Sequence, residues 1–208
     1  MDARRSEVLK ASPRMFHSDV LDRLSRVHPV VPVLIFLPAI TVLAGTAAGR
    51  MGALETLAWI GGGYVFWTFT EYWLHRAVFH FEPEDGIGAR LHWIMHGVHH
   101  DHPNDPMRLV MPPSVSVPLA ALFYLAFYFV LGSTYALGFG AGFLGGYLFY
   151  DMAHYHMHHH KPRTRLGKRF RELHMRHHFQ DDTRGFGVSA PWWDHAFGTA
   201  PRSGRGER

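Results

Sequence analysis

The chain has 208 residues, enough for one domain, of which 47% are apolar and only 18% charged, below the ~25% usual for a soluble domain. It has no cysteine, which excludes disulfides, thiolate zinc sites, iron–sulfur clusters and a cysteine nucleophile, yet it carries 18 histidines. In so apolar a chain the formal charge of +4 reads as basic surface against anionic lipid, not as a nucleic-acid interface.

Residues 1–26 are polar and basic, with neither an early apolar core nor a small-residue cleavage site. They read as a cytoplasmic segment without a signal peptide. From Val27 to Gly49 there is no Lys, Arg, Asp or Glu. At ~1.5 Å per residue such a run crosses a hydrocarbon core of ~30 Å, and a membrane helix tolerates Pro32 and Pro38. A second span is predicted at about 53–74, with Glu55 and Glu71 near its two ends. A polar, histidine-rich stretch follows at 75–108. Leu109 to Tyr150 is again uncharged and long enough for two spans, about 112–131 and 134–153, turning at Gly132-Ser133-Thr134. The glycine runs Gly61-Gly62-Gly63 and Gly145-Gly146 permit close helix packing. Residues 154–199 are polar, basic and histidine-rich, and 200–208 read as a flexible tail.

Basic residues concentrate before the first span, in the middle stretch (Arg76, Arg90, Arg108) and after the fourth span. Only Arg50 lies in a short turn. The positive-inside rule then puts both termini and the middle stretch in the cytoplasm, so both histidine-rich parts share one side. The fold class expected is all-α and integral to the membrane: four transmembrane helices with a cytoplasmic helical cap that holds a dinuclear histidine metal site.

Four clusters supply the candidate ligands: His75 and His80; His96, His99 and His100; His154 and His158; His174, His177 and His178. Neutral imidazole suits zinc, copper, iron and nickel, and ten imidazoles suit two ions better than one. On a helix His96 and His100 project about 40° apart and His99 about 100° from His100, and the box at 174–178 repeats this offset. The division expected is that His96, His100, His174 and His178 share one metal, joined by His154 or His158. His99 and His177 then face the other, with His75 and His80. An i,i+5 pair such as His75/His80 is splayed by about 140° on a regular helix, so the helix is expected to loosen there. Metal-bound histidines usually donate their second ring N–H to an acceptor. Glu71, one turn before His75, and Asp151, three residues before His154, are candidates for that role. His92 is a weaker one, and His102, His156, His159, His160 and His195 read as surface or locally bonded residues.

The segments EYWLHRAVFH (71–80), LHWIMHGVHH (91–100), P-x-D-x-x-RLV-x-PP (103–113), GYLFYDMAHY (146–155), HMRHHF (174–179), GFGVS (185–189) and WD (193–194) resemble the membrane fatty acid hydroxylase and sterol desaturase superfamily. They are most similar to the fatty acid 2-hydroxylases. The resemblance covers roughly 71–199 and implies a hydroxylase domain over 27–208, with the ten histidines binding a formally diiron centre. It implies dioxygen as co-substrate and hydroxylation of a fatty acyl chain at carbon 2. The segment before the first span is short for a cytochrome b5 domain and lacks a His-Pro-Gly-Gly haem motif, so a separate electron-transfer protein is expected as donor. Iron fits this chemistry and redox-inert zinc does not, although zinc binds such sites more tightly and could replace iron in purified protein. Arg108, Tyr150 and Tyr155 are the expected substrate-binding residues, the two tyrosines also flanking the third histidine cluster beside the metals. The alternatives are a sterol or carotenoid oxidase or desaturase of the same superfamily and, more distantly, a divalent-metal transporter. Ligands clustered at the membrane edge, with no carboxylate-rich path across it, argue against transport.

Overall fold

The computed structural model describes residues 3–202, so residues 203–208 of the expected tail lie outside the described residues. The helices, in chain order, are α1 (Ala3–Lys10), α2 (Asp19–Leu24), α3 (Val30–Met51), α4 (Ala53–Leu74), α5 (Gly86–His92), α6 (Val98–Asp101), α7 (Pro113–His159), α8 (Arg165–Phe179) and α9 (Trp192–Ala196). Two π-helical turns, His75–Phe79 and Trp93–Gly97, interrupt them, and no strand occurs among the described residues.

Two tight reversals build the bundle, each around one glycine. Gly52 (φ 81, ψ 165) joins α3 to α4, and Gly132 (φ 80, ψ 166) folds α7 back on itself. A side chain at either position would face a left-handed backbone that only glycine adopts without cost. The predicted turn at 132–134 is therefore a single residue. Phe127 on the first arm of α7 lies against Phe139 and Phe143 on the second, with ring centroids 4.9 and 5.0 Å apart. The helix of the predicted first span starts at Val30, just after Pro29, and the Val27 N–H before it donates to the Met107 carbonyl (2.6 Å). The second arm of α7 runs on through His159, so the third histidine cluster continues the helix of the predicted fourth span. Among the described residues, α3 and α7 are long and apolar enough to cross a membrane.

The core is aromatic: Phe36, Trp67, Phe127, Phe143 and Tyr147 are buried together. It holds because α4 and the second arm of α7 come into backbone contact. A Cβ on Gly142 would stand 1.9 Å from the Ile60 carbonyl oxygen, and one on Gly63 1.9 Å from that of Phe139. Gly146 is covered by the Trp67 ring, 2.6 Å from where its Cβ would lie. The close packing read from the glycine runs is thus made by Gly63 and Gly146, while Gly61 and Gly145 face open space.

This contrast gives a paired test. Gly145→Ala should be neutral or slightly stabilising, since alanine favours a helix by roughly 1 kcal/mol over glycine and meets nothing there. Gly142→Ala forces α4 and α7 away from each other and should lose about 1–3 kcal/mol despite the same propensity gain. Thermal unfolding of both variants in detergent measures the difference, and equal melting temperatures would contradict the packing described.

Candidate metal centre

The first cluster depends on a local departure from the α-helix. At His75–Phe79 the chain winds as a π-turn, closed by the His80 N–H to the His75 carbonyl (3.1 Å). The wider turn brings residue i+5 under residue i, and the His75 and His80 rings stand 5.0 Å apart. This is the loosening that the i,i+5 spacing required. The second π-turn, Trp93–Gly97, ends just before His99 and His100, and the Nε2 atoms of His96 and His100 lie 3.0 Å apart.

The ten histidines gather into two groups of five: His75, His80, His96, His100 and His177 in one, and His99, His154, His158, His174 and His178 in the other. Within each group the candidate ligand atoms lie within 4.8 Å of one another. This corrects the expected division. His96 and His100 keep company with His75 and His80, not with His174 and His178, and it is His177 that joins them. Each H-x-x-H-H box does send its i,i+4 pair to one group and its outlier to the other. The two boxes, however, exchange outliers: His99 joins the α8 pair, and His177 joins the pair from the other box.

The geometry suits a metal. Two nitrogens bound at right angles on bonds of ~2.0–2.1 Å stand about 3 Å apart. Besides His96–His100, the Nε2 pairs His75–His96 and His80–His177 lie at 3.1 Å, His99–His178 at 3.0 Å and His158–His174 at 2.8 Å. His154 contributes a buried Nε2 that has no hydrogen-bond partner among the described residues. Burial above all, then neighbouring imidazoles, holds His80 down to about 3 and His100 to about 2. His75, His96, His99, His154, His158, His174 and His178 are lowered well below the ordinary histidine value for the same leading reason. Burial lowers His177 as well. The rings are therefore neutral at pH 7, the form that ligates. His75 Nδ1 donates to the Phe186 carbonyl (2.7 Å) and His177 Nδ1 to the Arg184 carbonyl (2.8 Å). A carbonyl only accepts, so each Nδ1 carries the proton and each Nε2 offers its lone pair to the cluster.

Those carbonyls belong to the GFG loop, for which the sequence pattern alone suggests no role. Asp194 accepts from the backbone N–H groups of Phe186 and Gly187 (both 2.9 Å) and from the Thr199 hydroxyl (2.8 Å). The Tyr72 hydroxyl lies 2.9 Å from that of Thr199. Gly187 has no room for a side chain, since a Cβ would lie 2.4 Å from the Ala190 oxygen. Asp194 thus holds the turn whose carbonyls orient His75 and His177. An acid eight residues beyond the phenylalanine of a GFG turn was the available signal.

Four expectations are corrected. Glu71 does not reach His75: its buried carboxylate accepts from the Ser189 N–H (2.7 Å) and from the Ser189 hydroxyl. Asp151 accepts from the Tyr147 hydroxyl (3.3 Å), not from His154. Arg108 is committed elsewhere, donating to Asp22 (3.0 Å) and to the Pro13 carbonyl, which ties it to the N-terminal segment. Tyr155 turns toward His159, its ring 4.3 Å away, outside both groups. The Tyr150 ring stands 5.7 Å from that of His154. His102, read as a surface or locally bonded residue, instead bonds the Val8 carbonyl (2.6 Å), far from it in sequence.

Beside the histidines lies a narrow apolar cavity of about 40 Å³ between α4 and the two arms of α7. Its walls include Trp67, Glu71, Phe79, Phe143, Tyr147 and Tyr150. Phe79, which no sequence signal singled out, stacks on His96 (5.2 Å, 20°). Phe79 and Tyr150 therefore connect the cavity to one histidine group each.

Residues 60–199 match the family model described as fatty acid hydroxylase. The dihydroceramide fatty acyl 2-hydroxylase FAH1 of Arabidopsis thaliana is 38% identical over 92% of this chain and 81% of its own length. The ceramide very long chain fatty acid hydroxylase SCS7 of Saccharomyces cerevisiae is 39% identical over 82% of this chain and 44% of its own. Among solved structures, full-length scs7p, of which only the hydroxylase domain is visible, superposes with a TM-score of 0.85 at 34% identity. That match covers 92% of this chain and 74% of the other.

The two groups can be told apart by metal counting. His80→Ala removes a nitrogen from the first group only and His158→Ala from the second only. Each should lose about one of two bound ions, and the double variant both. Asp194→Asn keeps all ten histidines yet should weaken metal binding by about 10–100-fold, because it disturbs their outer hydrogen bonds. Elemental analysis with chelator competition reads both effects, and His160→Ala serves as the unaffected control.

Proposed function

Because this chain belongs to the fatty acid hydroxylase family, we propose that it is a multi-pass membrane monooxygenase that hydroxylates carbon 2 of a lipid-linked acyl chain at a pair of iron ions. That it is a hydroxylating enzyme of fatty acyl chains follows from the family. The site residues, the metal, the position of attack and the topology are the present reading. The observation that carries it is the pair of five-histidine groups at one end of an apolar cavity.

The membrane placement rests on the helices. α3 and the two arms of α7 carry large apolar side chains outward: Phe129 and Val130 are each 80% exposed. In water so much exposed apolar surface would be costly, and against lipid it is not. With α4 this makes four spans in two hairpins. Nearly all basic residues, Arg50 excepted, belong to the N-terminal and histidine-bearing segments, which by the positive-inside rule supports a cytoplasmic centre and cytoplasmic termini.

The bound ions would supply dioxygen activation and the redox chemistry, with two electrons from a separate carrier protein. Overall a C–H bond and dioxygen, with two electrons and two protons, give C–OH and water. This chain's residues do the positioning. Nε2 atoms of His75 and His177 are presented with their tautomers set by the loop at 184–187. Phe79 and Tyr150 bring the cavity wall against the rings of His96 and His154, so an acyl chain lying there passes both groups. Attack next to a carbonyl requires the head of the acyl chain at the histidine end. Glu71, Ser116, Tyr147 and Tyr150 are the polar residues of that wall, and Tyr150 is the proposed substrate-binding residue. Apolar walls exclude water from the rest.

The test is chemical. Membranes containing the protein receive a labelled acyl lipid, dioxygen and a reductase–carrier system, and the new hydroxyl is located by fragmentation. A 2-hydroxy product is expected, and His100→Ala or His178→Ala should abolish it. Oxidation only at mid-chain or terminal carbons, or a new double bond, would overturn the position assigned.

A further inference from the structure

The cavity beside the histidines has a floor at a definite depth. Its walls are rows of side chains on three helical segments. On the second arm of α7 the row is Phe143, Tyr147, Tyr150, His154 and His158, whose spacing of four, three, four and four keeps one helix face. A single stripe therefore carries two metal-ligand candidates at one end and the cavity wall at the other. On α4 the row Trp67, Glu71 and Leu74 ends beside His75, and the first arm of α7 adds Ala120 and Phe123.

At the deep end the three rows meet. Phe143 touches Phe123 (ring centroids 4.8 Å) and Trp67 (5.1 Å, edge to face). Beneath them Phe127 stands 5.0 Å from Phe143 and 4.9 Å from Phe139. Phe143, Trp67 and Phe127 are buried, so the plug is packed and not a loose contact.

We propose that Phe123 and Phe143 are a chain-length stop, which makes the enzyme selective for long over very long acyl chains. This rests on the hydroxylase reading above. The argument is one of reach. Phe143 precedes His154 by eleven residues on a continuous helix, which is about 16 Å at ~1.5 Å per residue. An extended alkyl chain of ~1.5 Å bonds advances about 1.3 Å per carbon. About a dozen carbons beyond the oxidised position therefore bring the methyl end to the floor, an acyl chain of roughly 14 to 16 carbons. A longer chain has to displace the ring of Phe123 or Phe143, or leave carbon 2 short of the histidines. The relative from Saccharomyces cerevisiae is named for very long chains, so the inference sets this chain apart from a protein it is 39% identical to.

The experiment is an internal competition. Membranes with the full chain receive an equimolar mixture of acyl lipids sharing one head group, with chains of about 14 to about 24 carbons, and the ratio of hydroxylated products is read by mass spectrometry. A ratio does not depend on how much variant folds. The wild type should favour the shorter members. Phe123→Ala should raise the ratio of longer to shorter products by about tenfold, the discrimination a single methylene commonly carries in an apolar pocket. Ala120→Leu, which adds volume to the wall, should move the ratio the opposite way. Should Phe123→Ala yield no product, Phe123→Leu is the milder enlargement and should shift the ratio in the same direction. An unchanged ratio, shifts of one sign in both kinds of variant, or a wild type that oxidises the longest chains as readily as the shortest would overturn the stop. No acyl hydroxylation by the wild type at any length would instead overturn the hydroxylase reading, and the stop with it.

Discussion

Ten neutral imidazoles share one end of a four-helix bundle, with no carboxylate in either group. Burial keeps these rings neutral, so no imidazolium charge is shared between Nε2 atoms about 3 Å apart, and where Nδ1 carries the remaining proton, as at His75 and His177, the Nε2 lone pair calls for a cation. This is the constraint on which the rest of the structure depends. It demands helices that deliver nitrogens from four stretches of sequence to two points. It also demands that rings be held turned inward, which outer hydrogen bonds to carbonyls do for His75 and His177. The π-turns answer the first demand, since an α-helical 75–80 segment would point His75 and His80 to different sides. The loop organised by Asp194 answers the second.

The exchange of outliers ties the two groups together. His99 and His100 are adjacent residues on one turn but serve different groups, and so do His177 and His178. A rotation of α8 that improved one group would carry the other out of place. Two such boxes, facing each other and each split between both groups, therefore fix the relative rotation of their helices more firmly than two separate sites would. That is a reason for the boxes to have three histidines where a single ion needs only a pair.

Much of this was legible in the sequence, and what was not has a common cause. Helical arithmetic within one segment worked: it found the reversal at Gly132, the loosening after His75 and the pair-plus-outlier character of each box. It could not say which pair meets which, because that depends on the rotation of one helix against another. The side-chain assignments failed for a related reason. Glu71 stands one turn from His75, and Asp151 three residues from His154, but proximity along a helix only makes a bond available. Ser189, 118 residues away, offers Glu71 both a backbone and a side-chain donor, and the Tyr147 hydroxyl takes Asp151. Arg108 was read as facing the substrate as one of the polar residues nearest the histidines in sequence, yet the N-terminal segment sets Asp22 beside it. Tyr155 failed by one residue: next to His154, it projects about 100° away from the ligand stripe.

The stripe itself joins the membrane region of the molecule to its chemistry. Because α7 does not stop at the predicted end of the fourth span, the helix that lines the apolar cavity is the same rigid body that carries His154 and His158. Gly142 and Gly146 seat that helix against α4, whose own end carries His75. The close approach of two glycine-lined faces thus sets both the width of the cavity and the separation of the two segments that hold the histidines. A side chain at Gly142 would widen the cavity and misplace His154 in one motion, so packing in the bundle and geometry at the metals are one variable here, not two.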